Sequence, residues 1–140
     1  MDEDLPLRLL NELESRVRML QALAPVTVER LAEDTTYAAA VERHLQIAIQ
    51  AAIDLAAWVI SEHLWREPAS YRETFEVLGE QGFLDLPTAH RLADIAGHRN
   101  ALVHAYLYIT PEATARYATE GLVDLTAFAQ RCVAEIAGPA

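Results

Sequence analysis

The residues best suited to chemistry lie in one short segment, His98-Arg99-Asn100-Ala-Leu-Val-His104-Ala-Tyr106. A guanidinium holds a phosphate through two hydrogen bonds and stabilises developing negative charge. A histidine moves protons near neutral pH, and an asparagine can hold a substrate or orient the histidine. Arg99, Asn100 and His104 therefore supply the groups for metal-independent RNA cleavage, in which the neighbouring 2′-OH attacks the phosphodiester.

The pattern is more specific as a triplet than as a pair. With this composition, an arginine followed five positions later by a histidine is expected by chance about 0.4 times, and a tyrosine two positions further lowers that to roughly 0.01–0.02. An arginine and a histidine on an amphipathic helix are more often an exposed ion-pairing residue and a satisfied core histidine. The structural interpretation of Arg99 and His104 stays open on these grounds alone.

Helix geometry adds an expectation about assembly. On a continuous helix, Arg99 and Tyr106 are nearly aligned two turns apart, whereas Arg99 and His104 differ by about 140°. One helix does not easily aim both of the latter side chains at one atom, but a second copy across a two-fold axis would. We therefore expect a homodimer.

Two further groups of polar residues are candidates for the site. Gln50 and Asp54 lie one turn apart on an otherwise apolar segment, and they either support the cleft as a second layer or face solvent. A second group recurs at four-residue spacing on one helix face, which could supply three metal ligands; it consists of His90, Asp94 and His98. A solvated face is the preferred interpretation of that group, and we predict no metal and no cofactor.

The surrounding periodicity is helical nearly throughout and contains no useful strand pattern. Capping signals include Asp4 before Pro6, a capping box that starts at Ser70, and Thr110 before a proline. The sequence predicts an all-α, antiparallel bundle of four main helices and one or two short ones, forming a single domain over residues 1–140. The predicted helices cover about 5–23, 28–33, 35–63, 70–82, 87–108 and 110–136.

Composition limits the class of protein further. All 11 basic residues are arginine, and the net charge is −10, which argues against broad phosphate neutralisation and confines any RNA contact to a local arginine-bearing cleft. The single cysteine excludes an internal disulfide. The acidic N-terminus is unlike a signal peptide, and the apolar run 45–60 is interrupted by polar residues, so we expect a cytoplasmic protein without a membrane span.

The segment His98 to Tyr106 resembles the signature of HepT toxins of the HEPN superfamily: arginine, a polar residue, three further positions, histidine, any residue and tyrosine. Further stretches resemble the same family, so the resemblance covers nearly the whole chain; they lie at 40–54, 70–78 and 122–128. One departure is His98, where relatives commonly carry an aromatic residue. No position of the signature is lost.

The resemblance implies a HEPN-like bundle that dimerises and a toxin that cleaves RNA, with tRNA the expected target. It implies that Arg99 and His104 are the ribonuclease pair, that Asn100 is their polar companion, and that Tyr106 is modified. The implied partner is a nucleotidyltransferase antitoxin (MntA-like) that silences the toxin by transferring AMP to Tyr106. The alternative is a catalytically inactive HEPN module that binds nucleotide or the nucleotidyltransferase, which the negative charge favours mildly.

Overall fold

Seven helices form the fold in the computed structural model, which describes residues 4–104, 107 and 109–138. These residues contain no strand. The predicted all-helical class is therefore confirmed. In chain order the helices are α1 (Leu5–Ala22), α2 (Val28–Glu33), α3 (Thr35–His63), α4 (Tyr71–Glu80), α5 (Leu86–Gly97), α6 (Arg99–Val103) and α7 (Pro111–Ala137).

The central helix is α3, which packs against α1, α4 and α7 and also contacts the shorter α2 and α6. Asp34 begins it by accepting a hydrogen bond from the Tyr37 N–H, at 3.0 Å. Its apolar residues point to several sides, as the sequence indicates, and neighbouring helices of the same chain cover them. The helix is long and apolar enough to pass for a membrane span, but 56% of its most apolar window is buried inside the bundle. It is the core helix.

Side-chain caps fix the starts of α4, α5 and α7. Ser70 accepts from the Glu73 N–H at 3.1 Å, Asp85 from the Thr88 N–H at 2.8 Å, and Thr110 from the Ala113 N–H at 3.1 Å. Each bond satisfies one of the amide groups that a helix leaves unpaired in its first turn. Asp4 occupies the same position before α1, but its side chain makes no capping bond.

The last helix, α7, crosses α5 closely at a glycine. A Cβ on Gly121 would lie 3.0 Å from Ile95 Cδ1, so the missing side chain allows the two helices to approach. The helix continues through this glycine, and its inner face carries Phe128, which meets Phe75 of α4 edge to face at a centroid distance of 5.4 Å. This contact joins α4 and α7 in the core.

One prediction about the fold was wrong: the helix expected over 87–108 is broken at His98. In an unbroken helix the His98 N–H would donate to the Asp94 carbonyl. Instead the His98 ring Nδ1 occupies that carbonyl oxygen at 2.8 Å, and the His98 N–H donates to Ile95 at 3.1 Å. The chain turns here, and the separate short helix α6 starts at Arg99.

Candidate active site

Arg99 is held at the start of α6 by two neutral amide side chains. Its Nε donates to Gln50 Oε1 of α3 at 2.7 Å, and its Nη1 donates more weakly to Asn100 Oδ1 at 3.4 Å. The break at His98 turns Arg99 toward α3, where the Gln50 contact fixes one edge of the guanidinium. The structure thus brings together three of the residues that the sequence predicts for the site.

The contact to Gln50 extends one turn along α3. Gln50 Nε2 donates to Asp54 Oδ1 at 2.9 Å, and this bond fixes which end of the amide faces Arg99. The Gln50 oxygen is therefore available to accept from the guanidinium. Gln50 thus bonds Arg99 directly, whereas Asp54 is exposed and contacts Arg99 only through Gln50.

The charge of Arg99 is not neutralised by an ion pair with any carboxylate in the part of the chain that the structure describes. Other arginines differ: Arg72 contacts Asp94 at 2.6 Å, and Arg91 contacts Asp124 at 3.0 Å. A guanidinium that has neutral partners keeps its attraction for an external anion. Arg99 is thus prepared to bind a phosphate.

His104 lies at the opposite end of α6. It is exposed and ends the helix, with its N–H donating to the Asn100 carbonyl at 3.1 Å. This bond continues the helical pattern up to His104, so the offset of about 140° between Arg99 and His104 stays a prediction. Tyr106 lies outside the described residues, and its predicted alignment with Arg99 assumed the same unbroken helix.

Three further histidines, His44, His63 and His98, make contacts that belong to the scaffold. His44 accepts from Arg16 Nη1 at 2.9 Å, and burial together with the Arg16 charge lowers the pKa of this imidazole. His63 contacts Glu135. The His98 ring bonds the Asp94 carbonyl, and its Nδ1 also lies 2.9 Å from the Tyr117 hydroxyl.

Two members of the possible metal-binding group His90, Asp94 and His98 make other contacts. The Asp94 carboxylate pairs with Arg72, and the His98 Nδ1 faces a backbone carbonyl rather than the Asp94 carboxylate. Within the residues described, no three His, Cys, Asp or Glu side chains are grouped as metal ligands would be. The four-residue spacing of these side chains therefore does not correspond to a cluster of metal ligands in the structure.

Two cavities meet at Arg99. The larger, of about 730 Å³, lies toward α4 and α5, and the smaller, of about 320 Å³, lies toward α1; Arg99 and Asp54 line both. Arg72 also lines the larger cavity and Arg43 the smaller. Three arginines thus line the two cavities, but Arg72 is paired with Asp94, and the carboxylates of Asp54 and Glu12 line them as well.

Sequence reasoning missed the residues that come to this cleft from distant segments. Tyr71, the first residue of α4, is 42% exposed, and its ring centroid lies 5.6 Å from the Arg99 guanidinium carbon. Both residues lie in stretches that resemble the family, at 40–54 and 70–78, but the sequence gives neither a role, since only the fold brings α4 and the middle of α3 beside α6. The capping box at Ser70 predicted where Tyr71 lies on its helix, but not what the ring contacts.

Comparison with solved structures identifies the class of fold. A crystal structure of a toxin–antitoxin complex with AMP-PNP contains a chain that aligns with a TM-score of 0.81 at 20% identity, covering 91% of this chain and 96% of that one. The tri-AMPylated Shewanella oneidensis HEPN toxin in complex with MNT antitoxin aligns with a TM-score of 0.79 at 21% identity, covering 94% and 97%. This is the fold of HEPN toxins.

The same fold occurs in YutE from Bacillus subtilis, a cytosolic protein of unknown function, with a TM-score of 0.83 at 17% identity over 100% of this chain and 96% of that one. No curated protein matches the sequence. The sequence model described as "Ribonuclease HepT-like" matches residues 13–132. The chain belongs to the HepT-like ribonuclease family, which confirms the resemblance seen in the sequence.

Proposed function

We propose that the chain is the toxin of a toxin–antitoxin pair and a metal-independent endoribonuclease that acts on RNA, with tRNA the expected target. One observation carries the proposal: the Arg99 guanidinium is oriented by neutral amides and faces a cleft without a carboxylate bonded to it. Such a group binds phosphate without first giving up an ion pair. Family membership supports the nuclease class, and cytoplasmic RNA is the substrate pool we propose.

In the proposed reaction the ribose 2′-oxygen attacks the adjacent phosphorus and the bond to the 5′-oxygen breaks. The products are a 2′,3′-cyclic phosphate and a 5′-hydroxyl, and a proton moves from the nucleophile to the leaving oxygen. Arg99 binds the phosphate and stabilises its added negative charge, while His104 transfers the proton. Asn100 holds the substrate or His104, and Gln50 keeps Arg99 in position.

A growth assay tests the toxin. Induced wild-type protein should arrest growth, and His104→Ala should relieve the arrest. His90→Ala is the matched control, because His90 is an exposed histidine on α5 that lines neither cavity. If the His104 variant remains as toxic as the His90 variant, the toxicity does not come from His104 chemistry, and the inactive module that binds nucleotide or the nucleotidyltransferase becomes the better account.

The proposal includes a homodimer that places two copies of the motif along one cleft. The apolar faces of α3 are covered within the chain, so the support for the dimer comes from family membership. Sedimentation should give a dimer at micromolar concentration; a monomer there would contradict this part.

Regulation by a nucleotidyltransferase antitoxin is the last element of the proposal. AMP on Tyr106 would add bulk and a negative phosphate that competes with RNA for Arg99. Tyr106→Phe should stay toxic but escape silencing by the partner with ATP, whereas Tyr108→Phe, two positions along the chain, should still be silenced. Mass spectrometry should place AMP on Tyr106; an adduct on Tyr108 instead would show that this regulatory assignment is wrong.

A further inference from the structure

Phosphate binding and proton transfer give no role to the cavity of about 730 Å³ beside Arg99. Its volume falls within the usual range for small-molecule pockets. It lies between α3, the loop before α4, and the start of α6. Since Arg99 stands at its edge, a nucleotide whose phosphate is on Arg99 has its base within reach of this cavity.

The wall and floor of the cavity suit a flat ring. Four of the lining residues are small, namely Ala57, Ala69, Ala96 and Gly97, and the Arg72 guanidinium lies over Gly97. Tyr71 lines the wall with a ring that is 42% exposed. Aromatic side chains and arginine planes are the usual surfaces on which unpaired RNA bases stack. A ring beside Tyr71 and the Arg99 guanidinium would be held by both.

Asp54 gives the cavity a hydrogen-bonding preference. Its Oδ1 accepts one bond from Gln50 and retains a second lone pair, while Oδ2 has no protein donor among the residues that the structure describes. Asp54 is exposed, so water occupies these acceptor positions in the free protein, and the hydrogen-bond donors of a ligand can replace that water. Its negative charge also repels carbonyl oxygens, so the base it accepts must present donors rather than acceptors.

We propose that this cavity is a base-recognition site for guanine next to the scissile phosphate, an inference that rests on the proposed ribonuclease function. Guanine presents two adjacent donors, N1–H and the 2-amino group, which match the two oxygens of Asp54. Cytosine and adenine present one amino group beside a ring acceptor, and uracil presents one N–H between two carbonyls. The carboxylate therefore ranks guanine first and uracil last.

The test is a titration of the protein with 5′-GMP, 5′-CMP, 5′-AMP and 5′-UMP, followed by ¹H–¹⁵N correlation spectra. GMP should bind at least about fivefold more tightly than UMP, the lower limit for a well-formed pair of hydrogen bonds to a base edge. Asp54→Asn keeps an acceptor for Gln50 but loses the two-acceptor edge, so the GMP preference should fall to within about twofold. Tyr71→Ala should weaken the binding of all four nucleotides by about fivefold or more, because it removes the stacking ring. Tyr71→Phe keeps the ring and should not weaken their binding.

The control is Glu62→Gln, which removes the same charge from α3 at an exposed position that lines neither cavity. Its GMP preference should equal that of the wild type. Equal binding of GMP and UMP by the wild type, or an unchanged preference in Asp54→Asn, overturns the inference. A parallel RNA cleavage assay separates the two proposals. If the protein cleaves RNA but neither the cleavage nor the nucleotide titration shows a preference for guanine, only the base-recognition site is refuted. If the protein binds GMP selectively but does not cleave RNA, only the ribonuclease function is refuted.

Discussion

Gln50 provides a sharp test of how the cleft prepares Arg99. Gln50→Leu keeps the side-chain size but removes the acceptor that lies 2.7 Å from Arg99 Nε. A hydrogen bond to a charged group contributes about 1.5–3 kcal/mol, and the partial burial of Arg99 favours the lower end. About 1.5 kcal/mol corresponds to roughly a tenfold loss of kcat/KM. We expect that loss mainly in kcat, because Gln50 orients Arg99 and does not touch the substrate.

The assay is single-turnover cleavage of a labelled RNA by purified variants. Gln21→Leu, the same change at an exposed position on α1, serves as the control and should cleave like the wild type. The pH profile should be unchanged, since the proton-transferring group is His104. If Gln50→Leu stays within about twofold of the control, the proposed positioning of Arg99 by Gln50 is refuted.

Gln50→Glu separates orientation from charge. This variant keeps an acceptor oxygen near Arg99 but converts a neutral partner into an anion, which would occupy the guanidinium in competition with phosphate. We therefore expect a larger loss of kcat/KM than in Gln50→Leu. Because KM is raised, the cleavage rate should approach that of the wild type more closely at higher RNA concentration. A smaller loss than in the leucine variant would contradict the importance that we give to the uncompensated charge.

Three predictions concern the scaffold. Gly79→Ala should lower the melting temperature, because the new Cβ would lie 2.8 Å from Ala89 Cβ, closer than two Cβ atoms pack. The overpacking cost should therefore lie toward the upper end of about 1–3 kcal/mol, above the helix-propensity gain of about 1 kcal/mol; an unchanged melting temperature would contradict the close approach of α4 and α5. Cys132, whose thiol pKa burial raises to about 12, should react with a thiol reagent at pH 8 only after unfolding, and immediate reaction would contradict its burial. The hydrogen bond from the Thr88 N–H lowers the pKa of Asp85 below its ordinary value. The cap therefore stabilises the fold fully at pH values above that ordinary pKa, and this stabilisation is lost as the pH falls through the lowered pKa. Asp85→Asn, which caps without titrating, should lose less stability across that acid range, and equal losses would argue against the cap.

The helices and their caps could be predicted from the sequence because their signals are local. Apolar residues at three- and four-residue spacing predicted α3, and the Ser70 and Thr110 caps predicted where α4 and α7 begin. The break before Arg99 could not be predicted in this way, since it depends on the His98 ring competing with its own backbone N–H for the Asp94 carbonyl. No propensity scale contains that competition.

The candidate site was predictable only in part. The motif indicated Arg99, Asn100 and His104 because they are neighbours in sequence, and the isolated polar pair on an apolar helix indicated Gln50 and Asp54. The contributions of Arg43, Arg72 and Tyr71 depend on how α3 and α4 pack around α6. The burial of Asp124 against Arg91 also depends on packing, because α5 covers that face of α7.

The most direct test of the central claim is the end chemistry of RNA cut by the purified protein in EDTA. We expect wild-type protein to cleave without added metal and to leave 2′,3′-cyclic phosphate or 3′-phosphate ends. Arg99→Ala and His104→Ala should each lose about 10²-fold or more, while His90→Ala should retain activity. Products that end in 3′-OH, activity abolished by chelation, or undiminished cleavage by His104→Ala would contradict the account.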